Sequence, residues 1–206
     1  MSNPSTDGMA TSDKAMEDGG KMAVDFCGLS KIVGGDDMGL VILADKEKER
    51  QIVIPCDKHM VYQLQLRYLN MPHCRLLSLE ALWDMMGEMA DAERYYVFVN
   101  GITDGHYTAL LVDRLINKVH QLRPSDGVLL HLVTGIPLYV DRALFMKQCS
   151  KYEREEGRVS MPINVISNKM LQRALERAIE EEDYEMASQV RDEIRSRQQH
   201  NQQKEE

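Results

Sequence analysis

Residues 94–113 run Arg-Tyr-Tyr-Val-Phe-Val-Asn-Gly-Ile-Thr-Asp-Gly-His-Tyr-Thr-Ala-Leu-Leu-Val-Asp, and this stretch constrains the fold more than any other. Tyr95, Val97 and Val99 alternate with Tyr96 and Phe98, the period-two pattern of a strand. Thr103, Asp104 and Gly105 supply a turn, because glycine tolerates positive φ and aspartate bonds its own backbone. The run from His106 then returns as the partner strand. The chain is therefore committed to an antiparallel sheet.

The flanking segments extend that reading. Residues 22–29 and 38–45 are short β-type runs, residues 46–50 form a charged turn, and residues 51–56 return as a strand. A helix follows, with Asp57 as its N-cap and Met60, Leu64 and Tyr68 on one stripe. A second begins after Ser78, where Leu79, Leu82, Trp83 and Met86 recur at core-facing spacing. The expected class is α+β, a mostly antiparallel sheet with packed helices, in a domain spanning 22–150. Residues 1–21 carry no apolar periodicity and are expected to be disordered. Residues 151–166 read as a polar linker outside any shared core.

Residues 167–199 read as a C-terminal helical hairpin. Leu171, Ala174, Leu175, Ala178 and Ile179 form one stripe, and Tyr184, Ala187, Val190 and Ile194 a second. The acids at 180–183 oppose the end of one helix and favour the start of the next, so the break falls there, with Asp183 or Glu182 opening the second helix. Arg177 with Glu181 and Asp192 with Arg195 are expected surface pairs, and the chain is expected to fray after Gln198. So small a hairpin cannot build much core of its own, and is expected to pair with another copy or another protein while adding little to the main domain's stability.

The bulk numbers exclude some functions. A formal charge of −8 over 206 residues disfavours a dedicated DNA-binding protein, though not an enzyme that meets nucleic acid briefly. No run approaches the roughly 20 apolar residues of a membrane span. The N-terminus lacks a signal-peptide pattern. Cys27, Cys56, Cys74 and Cys149 have neither metal-like nor C-x-x-C spacing, which predicts reduced thiols and a cytoplasmic protein.

Chemistry concentrates at residues 122–140, where Arg123-Pro124-Ser125-Asp126 runs into an apolar helix and then a strand. On a structural reading, Ser125 or Asp126 caps the helix, Leu129, Leu130, Leu132 and Val133 pack it, Gly135 ends it, and Pro137 prevents its continuation. Arg123 pairs with Asp126. On a functional reading, a carboxylate beside an arginine at a helix N-terminus holds phosphate or a metal-bound water. The residues alone leave both open. His106 beside Asp104 is a further candidate, whereas His131 reads as a hydrogen-bonded core histidine. His73 has no partner in the sequence.

Residues 122–140 resemble the signature of the bifunctional nuclease family, an Arg-Pro-Ser-Asp-Ala run opening a helix before a strand. The likeness spans roughly 22–145. It implies metal-assisted hydrolysis of DNA and RNA phosphodiesters, with Asp126 and Asp104 binding metal or orienting water, Arg123 stabilising phosphate charge, and Mg or Mn as the divalent cation. Homo-oligomers are expected of such domains. The sequence departs from the family at Gln121, where an acid is usual, at Lys58 and His59, where Glu-Ala opens the first helix, and at Gly127, where alanine is usual. Loss of acids weakens a metal site. Residues 171–194 are similar to the UVR motif, a helical hairpin used for protein contacts, and the pairing implies a bacterial protein. Two functions follow from the resemblance: a nuclease, or a non-catalytic interaction protein that keeps the nuclease-type fold.

Overall fold

The computed structural model describes residues 20–31, 38–152, 162–166 and 168–202. The segment expected to be disordered lies outside them up to residue 19, as does most of the expected linker.

The chain is α+β, built on one eight-stranded sheet. Its strands are β1 (Lys21–Lys31), β2 (Met38–Asp45), β3 (Arg50–Asp57), β4 (Tyr95–Thr103), β5 (His106–Asp113), β6 (Lys118–Leu122), β7 (Leu138–Asp141) and β8 (Ser150–Lys151). Their order across the sheet is β6-β5-β4-β7-β1-β2-β3-β8. All neighbours run antiparallel except β4 and β7. β1 joins the two halves: residues 21–23 pair with β7, and residues from Val24 onward pair with β2. A bulge between Phe26 and Gly28, with Gly28 at φ 145°, interrupts the register within the part of the strand paired with β2. The β4–β5 turn has positive φ at both Asp104 (53°) and Gly105 (78°), the backbone of a two-residue hairpin loop whose twist matches its strands.

Helices α1 (Lys58–Tyr68) and α3 (Pro124–Thr134) pack against each other and against one face of the sheet. Alternation sends Val41, Leu43, Ile52, Ile54, Val97 and Val99 into that core, each at most 1% exposed. Burying side chains of this size contributes about 1.5–3 kcal/mol apiece. On α1, Met60 and Leu64 are buried as the stripe predicts, while Tyr68 stays 55% exposed with its ring edge against Phe26. Helix α2 (Ser78–Met85) departs further: it has no fully buried residue. Trp83 leans on Tyr95, yet Leu82 is 59% exposed, so the expected core stripe is only half used. The bidentate Arg67–Glu80 pair, 2.9 Å in each arm, holds α2 to α1 at the surface of the core instead.

Helix α4 (Arg142–Gln148), capped by Asp141, buries Phe145 completely. The C-terminal hairpin comprises α5 (Asn168–Glu180) and α6 (Tyr184–Gln202). Asp183 opens α6 by accepting from the Met186 N–H, and α6 continues past the expected end at residue 199. Leu171, Ala178 and Val190 fill the seam between the helices. The expected pairs Arg177–Glu181 and Asp192–Arg195 do not form. Among the described residues the hairpin's ion pair is Arg197–Glu193, at 2.7 Å. The C-terminal part of the chain also touches the main domain. Ser150 and Lys151 form a strand on β3, Val165 belongs to the main core at 2% exposure, and Gly105 lies directly against Arg197. The polar composition of 151–162 hid the apolar residues just beyond it.

Candidate functional site

Leu122 ends β6 and Pro124 opens α3, so Arg123 occupies the corner between them. Proline disfavours helical backbone in the residue before it, and Arg123 is extended at φ −68°, ψ 140°. The expected cap by Ser125 or Asp126 is absent, because both residues lie inside the first turn and Arg123 holds the N-cap position with no side-chain bond to the helix N–H groups. Both Asp126 oxygens are taken up by Arg123, at 2.6 Å to Nε and 3.2 Å to Nη2. Asp126 still favours the helix start through its charge.

The structure adds a residue that the sequence marked only as a cap. Asp57 Oδ2 accepts from Arg123 Nη1 at 3.3 Å, across 66 residues of chain. Its other oxygen caps α1 by accepting from the Met60 N–H at 2.8 Å. One guanidinium thus ties together the N-termini of α1 and α3. The hydrogen bond from Arg123 to Asp126 raises the arginine's pKa first, with the charges of Asp126 and Asp57 adding to it. The cluster is open to water, with side-chain exposures of 65% for Arg123, 50% for Asp57 and 36% for Asp126. Such pairs contribute at most about 1 kcal/mol each. Burial, reinforced by the charge of Asp57, pushes the neighbouring Cys56 thiol up to about 12. It is therefore a neutral, packed group near neutral pH. All four cysteines are free thiols.

Gly127 sits where α3 meets the sheet. A Cβ there would stand 2.6 Å from Val97 Cγ1, inside van der Waals contact. The glycine lets the first turn of α3 press on β4. It is Val128, not the expected leucines, that is fully buried, while Leu129, Leu130 and Leu132 pack partly against the core. Gly135 ends α3 in the left-handed region at φ 73°, as expected. His131 Nδ1 donates to the Ile136 carbonyl at 2.8 Å, tying the end of α3 to the approach to β7. It serves structure, as its apolar surroundings indicate.

Asp104 and His106 flank Gly105 on the β4–β5 turn, both exposed. Asp104 borders a cleft of about 350 Å³ between that turn, α4 and the C-terminal hairpin, a cleft that neither Arg123 nor Asp126 lines. The four candidate residues thus divide between two turns. The cleft's most organised member is Arg197, which nothing in the sequence singled out. Its five N–H donors reach Glu193, the Asn168 side chain and the carbonyls of Ile163, Asn164 and Ile166. Its i,i+4 spacing from Glu193 was the available signal, and many surface pairs share that spacing.

Among the described residues, no group of three or more His, Cys, Asp or Glu side chains is placed to hold a metal ion. A hard divalent cation takes several oxygen ligands, and the two carboxylates here already share an arginine. As arranged, the residues do not fit that ion. No helix among the described residues is long and apolar enough to cross a membrane. No protein-family model matches the chain, and no curated protein matches it.

Proposed function

We propose that the chain is a cytoplasmic interaction protein on a bifunctional-nuclease-type fold, recruiting a protein partner through a UVR-type hairpin. The observation that carries this reading is the state of the two carboxylates. Asp126 gives both oxygens to Arg123, and Asp57 divides its oxygens between Arg123 and the start of α1. Groups occupied in fixing two helix ends are not free to bind a cation or orient water. The exposed apolar tip of the hairpin supports the recruiting half of the proposal: Ile179 is 57% exposed and Tyr184 71%. A nuclease assay on the purified chain with Mg²⁺ or Mn²⁺ tests this, and cleavage no greater than that of an Asp126→Asn variant is expected.

The second reading is a metal-assisted nuclease acting on DNA or RNA. Two carboxylates converging at an open surface beside an exposed arginine favour it, since Arg123 is placed to meet phosphate. Metal-dependent hydrolysis that disappears in Asp126→Asn would replace the first reading with this one.

A further inference from the structure

The cleft between the β4–β5 turn, α4 and the C-terminal hairpin lies apart from the Arg123 corner, and one of its walls carries an unpaired polar group. Gln148, the last residue of α4, lines the cleft and is only 5% exposed. Its amide oxygen Oε1 is enclosed and accepts no hydrogen bond. A buried acceptor in that state bears the full penalty of its lost hydration. The terminal torsion of glutamine is broad and two-fold, so the amide turns at little cost toward a donor entering the cleft. Gln51 and Tyr107 carry the other enclosed atoms without partners among the described residues, and neither lines this cleft.

The remaining lining groups define what enters. Asp104 and Glu193 stand against Lys147 and Arg197, two charges of each sign. An anion there meets both carboxylates and a cation both bases, so the cleft selects neither. Arg197 already spends its donors on Glu193, Asn168 and backbone carbonyls, which leaves no fork for a phosphate or carboxylate. Ile102 and Leu144 supply apolar wall. A volume of about 350 Å³ suits a small molecule. These terms describe a compact, uncharged ligand with a few hydrogen-bonding groups.

An amide is best matched by another amide, because each sets a donor beside an acceptor. The ligand N–H donates to the glutamine oxygen, and the glutamine NH₂ donates to the ligand carbonyl. We propose that this cleft binds a small uncharged ring bearing an amide edge, either a lactam within the ring or a primary carboxamide upon it, and that Gln148 reads that edge. The ligand then lies between α4 and α6, so its binding fastens the base of the hairpin to the main domain. The site is separate from both the Arg123 corner and the hairpin tip, and its failure would leave the interaction reading untouched.

The test is isothermal titration of the full chain with uracil, which offers a lactam, and with nicotinamide, which offers a ring carboxamide. At least one is expected to bind with a Kd below about 1 mM, and the tighter of the two assigns the kind of edge. Two controls keep the shape and change the edge: 1,3-dimethyluracil lacks the N–H, and benzoate carries a charge. Both should bind weaker by roughly tenfold or more. Gln148→Met fills the same space without the amide. It should melt no lower than the parent, because no hydrogen bond within the protein is lost from Oε1, while affinity for the bound probe falls by roughly tenfold or more. Ser196→Trp, at an exposed position of the lining, blocks the cleft independently and should abolish binding even if Gln148→Met fails to fold. Hydrogen exchange at the base of α6 should slow when the probe is bound. No binding by either probe up to about 10 mM overturns the proposal. So does dimethyluracil binding as well as uracil, or unchanged affinity in a folded Gln148→Met or Ser196→Trp variant.

Discussion

Arg123 and Arg197 each bridge elements distant in the chain, yet they do so in opposite settings. Arg123 is 65% exposed and shares two carboxylates at a corner that the sequence advertises. Arg197 is 9% exposed and uses all five donors, three of them on backbone carbonyls of a turn that the sequence leaves unmarked. Arg94 lies between them. It grips Asp113 bidentately at 18% exposure and braces the start of β4 against the end of β5. The series teaches that a conspicuous charged motif and a structurally costly arginine need not coincide. Water screens the first, whereas the second holds backbone groups that would otherwise be left without partners.

The sharpest way to break this comparison is Arg197→Ala. Removing the guanidinium leaves Glu193 and the carbonyls at 163, 164 and 166 without it, and a loss of about 3 kcal/mol is expected. For a chain of this size that lowers Tm by roughly 6–12 °C, readable by calorimetry. Hydrogen exchange should rise at the base of the hairpin. A Tm within 2 °C of the parent, about the least that a 1 kcal/mol change would give, would show that the clamp is ornamental.

Gly105→Ala tests the same contact from the other side. Residue 105 has φ 78°, and a Cβ would meet the Arg197 guanidinium. A loss of about 1–2 kcal/mol is expected from backbone strain, and more if Arg197 is displaced. Chemical denaturation of Gly105→Ala, Arg197→Ala and the double variant gives the coupling. Purely additive losses would mean that the two positions do not communicate.

Asp113 extends the series into pH. Its hydrogen bonds from Arg94 hold its pKa below the usual carboxylate value. A depressed folded-state pKa gives stability that is present above the unfolded value, near 4, and lost as pH falls through the folded one. Asp113→Asn should therefore lower stability at neutral pH and flatten the decline below about pH 4. An unchanged acid limb in the variant would contradict the assignment.

Arg123→Ala is expected to have a small effect, at most about 1 kcal/mol for each of its two exposed pairs and less in high salt. A loss as large as that of Arg197→Ala would collapse the contrast between the two arginines and make Arg123 a principal structural tie.

Backbone regularities were open to reading from sequence. Alternation at 95–99, the Asp104–Gly105 turn, the Asp57 cap and the Gly135 stop all report interactions within a few residues, so local chemistry fixes them. The same holds for the Arg123–Asp126 pair, three residues apart. Amphipathic spacing predicted that α2 would form but not what would cover it, because periodicity identifies an apolar face without supplying its partner. Asp57 joined the Arg123 corner, Val165 entered the core and Arg197 closed on Gly105 only when the folded sheet brought distant segments together. The sequence by itself determined the α+β class, the β4–β5 hairpin, the start of α1, the Gly135 stop of α3 and the C-terminal helix pair. Tertiary structure alone decided which charges are solvated and which are enclosed, since desolvation depends on everything packed around a group and not on its neighbours in the chain.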